Sequence, residues 1–167
     1  QTKKLGAKVI TDNIIEVNTE EKPFQLKGES GKIYTCDALI ISTGAKARWL
    51  GLESESKFNG YGVSACATCD GFFFKNKKVI VVGGGNTAAE EALYLSNITE
   101  NVKIIHRRNS LRSDKILQKR LNDEPKIEIL WDSILEEVYG DESPKKVTGV
   151  KIKNIKTTLM FTIITFR

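Results

Sequence analysis

The sequence predicts an α/β protein in which a β-rich segment precedes a doubly wound domain of alternating strands and helices. Three observations lead to this fold class. Residues 1–47 carry short apolar or alternating runs separated by turn residues. From residue 77 onward, β-branched runs alternate with stretches of helical periodicity. A run of three glycines at residues 83–85 joins one such strand to one such helix. A chain of 167 residues can hold one good-sized domain and part of another.

The β-rich segment is predicted to begin with short strands at residues 8–10, 14–18 and 24–27. A hairpin turn at residues 28–32 follows them. Residues 33–42 are predicted as a longer strand, and its continuously apolar part, residues 38–41, indicates burial on both faces. This strand ends in Thr43-Gly44-Ala45, a turn at which the backbone can approach a ligand closely.

Residues 48–62 are predicted to connect the segment to the second domain, because they show little periodicity and several turn residues. We expect Trp49 and Leu50 to pack down onto the protein within this connector.

The second domain is predicted to span residues 63–154 and to be followed by an atypical tail, residues 155–167. Its predicted strands and helices alternate in the doubly wound order. The strands are residues 78–82, 102–105 and 127–131, the helices are residues 87–96 and 114–121, and two further strands, residues 134–139 and 147–153, flank a turn.

Composition excludes several classes of function. The net charge of +5 is modest and the basic residues are scattered among acids, so no general nucleic-acid surface is indicated. The longest apolar run, around residues 159–166, is far shorter than the ~20 residues of a membrane helix. Three cysteines without a secretory signal pattern argue for the cytoplasm and against a disulfide scaffold.

The glycine run fits the pattern G-x-G-x-x-A, with Gly83, Gly85 and Ala88 in the three defining positions. The first glycine permits a tight turn, the second lets backbone approach a pyrophosphate, and Ala88 keeps the helix close to the strand. Asn86 and Thr87 open the helix, whose N-terminus attracts phosphate. A purely structural turn remains the alternative. The strand before it and the helix after it favour dinucleotide binding.

Arginines follow the second strand of this domain, where an enzyme specific for NADH would place an acidic residue. Arg107 and Arg108 come directly after His106, and Arg112 lies one helical turn further. Guanidinium groups at this position suit a 2′-phosphate, so the pattern favours NADPH over NADH. The alternative, a basic loop that is merely solvated, is less favoured by this position. His106 is either a phosphate contact or a surface residue, and its position favours the contact.

A Cys-x-x-Cys pair, Cys66 and Cys69, lies one strand upstream of the glycine turn. This spacing brings two sulfurs within disulfide reach at the start of a helix, where thiol pKa values are lowered. Asp70 follows directly and is placed to accept or donate a proton. A zinc site requires four ligands, which the cysteines and the single histidine do not arrange in a known spacing, so no metal is predicted.

Four stretches of this sequence closely resemble the bacterial low-molecular-weight thioredoxin reductases. They are SACATCDGFF (residues 64–73), VVGGGNTAAEEALYLS (residues 81–96), IHRRNSLR (residues 105–112) and ISTGA (residues 41–45). The resemblance implies a Rossmann-like NADPH-binding domain joined to the β-rich remnant of an FAD-binding domain.

The resemblance also implies roles for individual residues. Cys66 would attack the disulfide of thioredoxin, Cys69 would face the flavin and Asp70 would be the acid/base. The cofactor residues so implied are Gly83, Gly85, Asn86, Thr87 and Ala88 for the phosphates of NADPH, Arg107, Arg108 and Arg112 for its 2′-phosphate, and Thr43, Gly44 and Ala45 for the flavin domain.

The chain departs from the family pattern in three places. The family's second glycine fingerprint, which binds FAD, and its closing Gly-Asp segment are not found, and the sequence after Asn154 does not match the family's returning strand. The expected function is thioredoxin-disulfide reduction by a fragment, with electrons passing from NADPH via FAD to the cysteine pair. The alternatives are an NADP(H)-binding module without turnover and an inactive truncated product. The resemblance implies a homodimer. Because the chain departs from the family pattern, no oligomeric state is predicted for it.

Overall fold

A computed structural model describes residues 2–44 and 46–164 of the chain. The chain divides into two compact units, one comprising residues 1–46 and the other residues 47–167. Within the described residues, no helix has the length and apolar character needed to cross a membrane.

The first unit contains a short 3-10 helix, Thr2–Leu5, and an antiparallel sheet in the order β1 (Ile14–Asn18), β2 (Phe24–Gly28) and β3 (Ile33–Cys36). The hairpin predicted between β2 and β3 is confirmed, since the amide of Gly31 donates to the carbonyl of Gly28 at 2.9 Å. No strand forms at residues 8–10, where the sequence predicted one.

The apolar stretch at residues 38–41 does not extend β3, contrary to the sequence prediction. The strand ends at Cys36, which pairs with Phe24, the first residue of β2. Because Pro23 precedes Phe24, β2 offers no further residue to pair with. Ile40 and Ile41 are consequently exposed to 88% and 72% and lie in no regular structure.

Residues 47–62 belong to the second unit and include a short helix, α1 (Glu53–Lys57). The prediction that Trp49 and Leu50 pack down is wrong, since both remain about half exposed. Phe58 is buried instead, in an apolar cluster with Val138, Val147, Val150 and Ile152. Residues 47–62 therefore pack within the second unit.

The predicted alternation of strands and helices is confirmed in the second unit. A parallel sheet has the order β4 (Lys78–Val82), β5 (Asn101–Ile105) and β6 (Ile127–Leu130). The helices are α3 (Asn86–Ser96) and α4 (Lys115–Asp123). Before them come α2 (Ala67–Asp70) and a 3-10 turn, Gly71–Phe74.

The last three strands form an antiparallel sheet in the order β7 (Ser133–Glu142), β8 (Lys145–Asn154) and β9 (Met160–Ile164). The tail therefore contributes a strand that pairs with β8, with Phe161 opposite Ile152. The uncharged, β-branched composition of residues 157–166 explains this pairing. Residues 165–167 lie outside the described residues.

The parallel sheet has an apolar layer on each face because its side chains alternate between the faces. Val102 and Ile104 contact the helix residues Ala92 and Leu121 in one cluster. Ile105 belongs to the other cluster, with the residues of β7 and β8. The carboxyl ends of β4 and β5, where the glycine and arginine patterns lie, are thus fixed between two packed layers.

Candidate active site

Cys66 and Cys69 are joined by a disulfide at the start of α2, with their Cα atoms 5.3 Å apart. Cys66 is the N-cap residue of this helix, and its sulfur accepts a hydrogen bond from the amide of Cys69 at 3.2 Å. An amide aimed at a sulfur stabilises the thiolate that forms on reduction. The sequence prediction of a disulfide-forming pair is confirmed. The arrangement can accept two electrons and two protons and become a dithiol.

Ser64 links Asp70 to the cysteine pair, a connection that the sequence analysis missed. The hydroxyl of Ser64 donates to Oδ2 of Asp70 at 2.5 Å, and its oxygen accepts the amide proton of Cys66 at 3.1 Å. One carboxylate is thereby held beside the first turn of α2. A serine just before a helix is a common capping signal, which is the only indication the sequence offers.

Glu91, a second residue that sequence reasoning missed, connects α2 to α3. Its Oε1 accepts the amide proton of Ala67 at 3.3 Å, and Ala67 packs against the core that contains Ala92 and Leu95. The redox helix is therefore attached to the side of the same helix whose N-terminus follows the glycine turn. Glu91 lies six positions after Gly85 along the chain, a rise of roughly 9 Å in an α-helix.

The glycine turn has the geometry that the pattern G-x-G-x-x-A requires. Gly83 has a φ of +151°, and a Cβ there would lie 2.9 Å from the Cβ of Ala88, so a larger residue at either position would push the helix away. Gly85 is the N-cap of α3, with open space around it and no side-chain cap. The first turn of α3 thus leaves backbone amides for an anion.

Asn86 uses its side chain within the protein. Its Nδ2 donates to Oδ2 of Asp114 and its Oδ1 accepts the amide proton of Asp114, both at 2.9 Å. This pair joins the start of α3 to the start of α4. The structure therefore leaves the backbone amide of Asn86, and the exposed Thr87 beside it, as the groups that can face a phosphate.

The arginine loop, residues 107–112, follows β5 and contains three exposed arginines, Arg107, Arg108 and Arg112. Within the described part of the chain, none of their guanidinium groups forms an ion pair. The amide of Arg112 donates to the carbonyl of Gly84 at 2.7 Å, which brings the loop against the glycine turn. Unpaired cations next to a helix N-terminus can attract a second phosphate.

His106 is buried, with 4% of its surface exposed, so it is not a surface residue. Its Nε2 lies 2.9 Å from the carbonyl oxygen of Ser110, and its ring contacts Trp131 edge-on. The predicted phosphate contact is not favoured, because the ring is enclosed by the protein and bonded to the loop. The apolar strand before it was the only sequence signal for burial.

Thr43 and Gly44, the predicted flavin-domain residues, lie in the first unit in an exposed stretch without regular structure. Ala45 lies outside the described residues. An exposed stretch of this kind has no walls to enclose a large planar cofactor. Thr43 and Gly44 by themselves therefore do not enclose FAD. The glycine turn and the arginine loop, by contrast, present backbone amides and exposed cations, groups of the kind that bind phosphates.

Comparison with known proteins gives one family and relatives that share one name. The family model described as pyridine nucleotide-disulphide oxidoreductase matches residues 1–166. Thioredoxin reductase of Rickettsia bellii is 53% identical over 157 residues, which are 94% of this chain and 51% of that protein. Thioredoxin reductase of Escherichia coli O157:H7 is 54% identical over 158 residues, 93% of this chain and 48% of that protein.

Among solved structures, thioredoxin reductase of Lactococcus lactis is similar with a TM-score of 0.74 and 36% identity, covering 98% of this chain and 53% of that chain. The chain thus spans about half the length of the relatives it matches.

Proposed function

This chain belongs to the pyridine nucleotide-disulphide oxidoreductase family, and from that premise we propose that it is the NADPH-binding and disulfide-exchanging part of a thioredoxin reductase. The observation that carries the proposal is the attachment of both chemical groups to α3. The disulfide of Cys66 and Cys69 lies on α2, which Glu91 ties to the side of α3. The glycine turn opens the same helix.

The dithiol form of the pair reduces a protein disulfide by exchange. The Cys66 thiolate attacks one sulfur of the substrate disulfide, forming a mixed disulfide and releasing a substrate thiolate. The Cys69 thiolate then attacks the Cys66 sulfur, which restores the Cys66–Cys69 disulfide and releases the second substrate thiolate. Two electrons pass to the substrate, and Asp70 is the group placed to exchange the accompanying protons with solvent.

Thioredoxin is the proposed substrate, as the names of the relatives indicate. Two aromatic side chains just beyond the pair, Phe72 and Phe73, are 72% and 77% exposed. Exposed aromatic residues beside a reactive group suit contact with a protein surface. We place the reaction in the cytoplasm, since a dithiol persists in a reducing compartment.

NADPH is the proposed dinucleotide, and it would supply a hydride when bound. The pyrophosphate is assigned to Gly83, Gly85, Thr87 and the α3 amides, and the 2′-phosphate to Arg107, Arg108 and Arg112. FAD is implied by the family, but Thr43 and Gly44 do not enclose it, and no step is assigned to it. An NADP(H)-binding module without turnover is therefore the second candidate.

In domain terms, we propose residues 1–47 as part of a flavin domain, 48–62 as the connector, 63–154 as the NADPH domain and 155–167 as an added tail. The compact units divide the chain at residues 46 and 47, and residues 47–62 pack with the second unit.

A stoichiometric exchange assay tests the disulfide chemistry. The chain is reduced with dithiothreitol, freed of the reagent and mixed with oxidised thioredoxin, and the thiols are counted by alkylation and mass spectrometry. We expect one thioredoxin disulfide reduced per chain, a result lost in Cys66→Ser and Cys69→Ser. The matched control, Cys36→Ser, removes the free cysteine of the first unit and should retain the exchange. Failure of the wild-type dithiol to reduce thioredoxin contradicts the proposal.

A further inference from the structure

We propose that His106 is a positioning residue that holds the glycine turn and the arginine loop in one arrangement, and thereby determines the preference for a 2′-phosphorylated dinucleotide. The inference rests on the proposed NADPH function. It concerns a side chain that faces the protein interior and does not contact the dinucleotide.

The backbone of His106 is fixed on both sides. Its amide donates to the carbonyl of Leu130 at 3.0 Å, and its carbonyl accepts the amide proton of Ser133, also at 3.0 Å. These bonds hold His106 at the end of β5, against the end of β6 and the start of β7. With 4% of its surface exposed, the residue cannot swing into solvent without local unfolding.

The ring anchors the arginine loop. A carbonyl oxygen can only accept, so the contact of 2.9 Å between Nε2 and the Ser110 oxygen requires a hydrogen on Nε2. The bond spans four residues and draws the chain between Arg107 and Arg112 into a turn. The arginines on either side of Ser110 are thereby presented from one short, closed loop.

The same ring supports the glycine turn. Gly84 lies directly over His106, so a Cβ at Gly84 would overlap the imidazole. The carbonyl of Gly84 in turn accepts the amide proton of Arg112 at 2.7 Å. His106, Gly84 and the loop therefore contact one another in a closed triangle. The triangle fixes the distance between the glycine turn and the arginine loop. A ligand with one phosphate at each of them therefore depends on this distance.

Two substitutions separate the hydrogen bond from the filling of space. His106→Leu keeps a side chain of moderate volume but removes the donor, whereas His106→Gln places an amide N–H near the position of Nε2. We expect His106→Leu to reduce the ratio of NADP⁺ to NAD⁺ affinity on the order of tenfold, because the loop carbonyl loses its partner. His106→Gln should restore most of the ratio. Adenosine 2′,5′-bisphosphate, which carries the 2′-phosphate without the nicotinamide, should follow NADP⁺.

A ratio that is unchanged in His106→Leu, or equally reduced in both variants, overturns the inference and leaves the proposed function standing. Equal wild-type affinity for NADP⁺ and NAD⁺ overturns the proposed specificity and the inference together. Thermal unfolding of each variant is measured alongside, since a purely structural role would lower stability and affinity for both dinucleotides in parallel.

A measurement on the wild-type chain does not depend on the variants folding. His106 is the only histidine, so its ring resonances are assigned without ambiguity. We expect an Nε2–H resonance that exchanges slowly with water, as a buried donor bonded to Ser110 requires. A ring whose Nε2–H exchanges as fast as in a free imidazole contradicts the arrangement.

Discussion

Asn86 and Asp114 hold each other by two hydrogen bonds of 2.9 Å, across 28 residues of sequence. Asn86 is the first residue of α3 and Asp114 is the N-cap of α4. Two helix N-termini are thus joined at the edge of the proposed phosphate site. The carboxylate of Asp114 would repel a phosphate bound nearby. Its hydrogen bond from the Asn86 side chain directs it toward the protein instead.

Changing Asn86 should test this pair directly. Asn86→Ala removes both bonds and should lower the free energy of unfolding by about 1–2 kcal/mol, as measured by urea denaturation. Asn86→Asp should lower the free energy of unfolding further, because two carboxylates would face each other. It should also weaken NADP⁺ binding. If Asn86→Asp binds NADP⁺ as well as Asn86→Ala does, the electrostatic argument is wrong.

The arginines should decide the choice of dinucleotide. Arg107→Ala and Arg108→Ala each remove a charge-assisted contact to the 2′-phosphate, worth about 1.5–3 kcal/mol, so NADP⁺ affinity should fall while NAD⁺ affinity changes little. Titration by calorimetry measures both. Arg120→Ala, which removes an exposed arginine from the last turn of α4, is the matched control. Equal wild-type affinity for the two dinucleotides would count against the assignment.

The purified chain should be colourless and should not couple NADPH to thioredoxin. Nicotinamide delivers a hydride, whereas a disulfide is opened by thiolate exchange, and Thr43 and Gly44 do not enclose the flavin that would connect the two. We expect no NADPH oxidation with thioredoxin even after addition of FAD, while dithiothreitol still reduces the Cys66–Cys69 pair. A yellow protein with steady turnover, abolished by Cys69→Ser, would show that this expectation is wrong.

The tail should limit solubility. β9 lies at the edge of its sheet and is uncharged, and Leu159 and Met160 beside or within it are largely exposed. Deletion after Asn154 should raise the soluble concentration, at some loss of stability because Ile163 packs against the second core. Thr162→Glu keeps the strand and changes only its charge. Residue 162 is opposite Lys151, so a glutamate there can pair with that lysine and disfavour association of the exposed edge with another chain. Unchanged aggregation in both variants, followed by light scattering, would exclude the tail as the cause.

Asp12 should make the first unit sensitive to acid. Hydrogen bonds from the Ser30 hydroxyl and then the Tyr34 hydroxyl hold the pKa of Asp12 below 3.8, its ordinary value. A carboxyl with a lowered pKa in the folded state stabilises the fold above its unfolded pKa, and this contribution is lost as pH falls through the folded pKa.

Asp12→Asn should therefore destabilise residues 2–44 at pH 6 and have little effect below the folded pKa. Melting of the β1–β3 amide resonances, recorded by NMR at several pH values, measures the difference. A difference between Asp12→Asn and wild type that persists undiminished at the acid end would contradict this reasoning.

The sequence by itself determined the chemistry that depends on residues close together along the chain. Two intervening residues place Cys66 and Cys69 within disulfide reach, and the spacing of Gly83 and Ala88 specifies a tight strand-to-helix turn. The alternation that predicted the parallel sheet is likewise local, because it follows from the backbone periods of strands and helices.

Only the tertiary structure decided which distant groups meet. Glu91 gave no local signal for its contact with Ala67, and the capping signal at Ser64 did not indicate its bond to Asp70. Nothing near Asn86 in the sequence indicates its pair with Asp114. His106 follows an apolar strand, yet its burial depends on Gly84 and Trp131 closing over it. Residues 38–41 look like a buried strand, but a strand needs a neighbour to accept its hydrogen bonds, and β2 ends its pairing at Phe24.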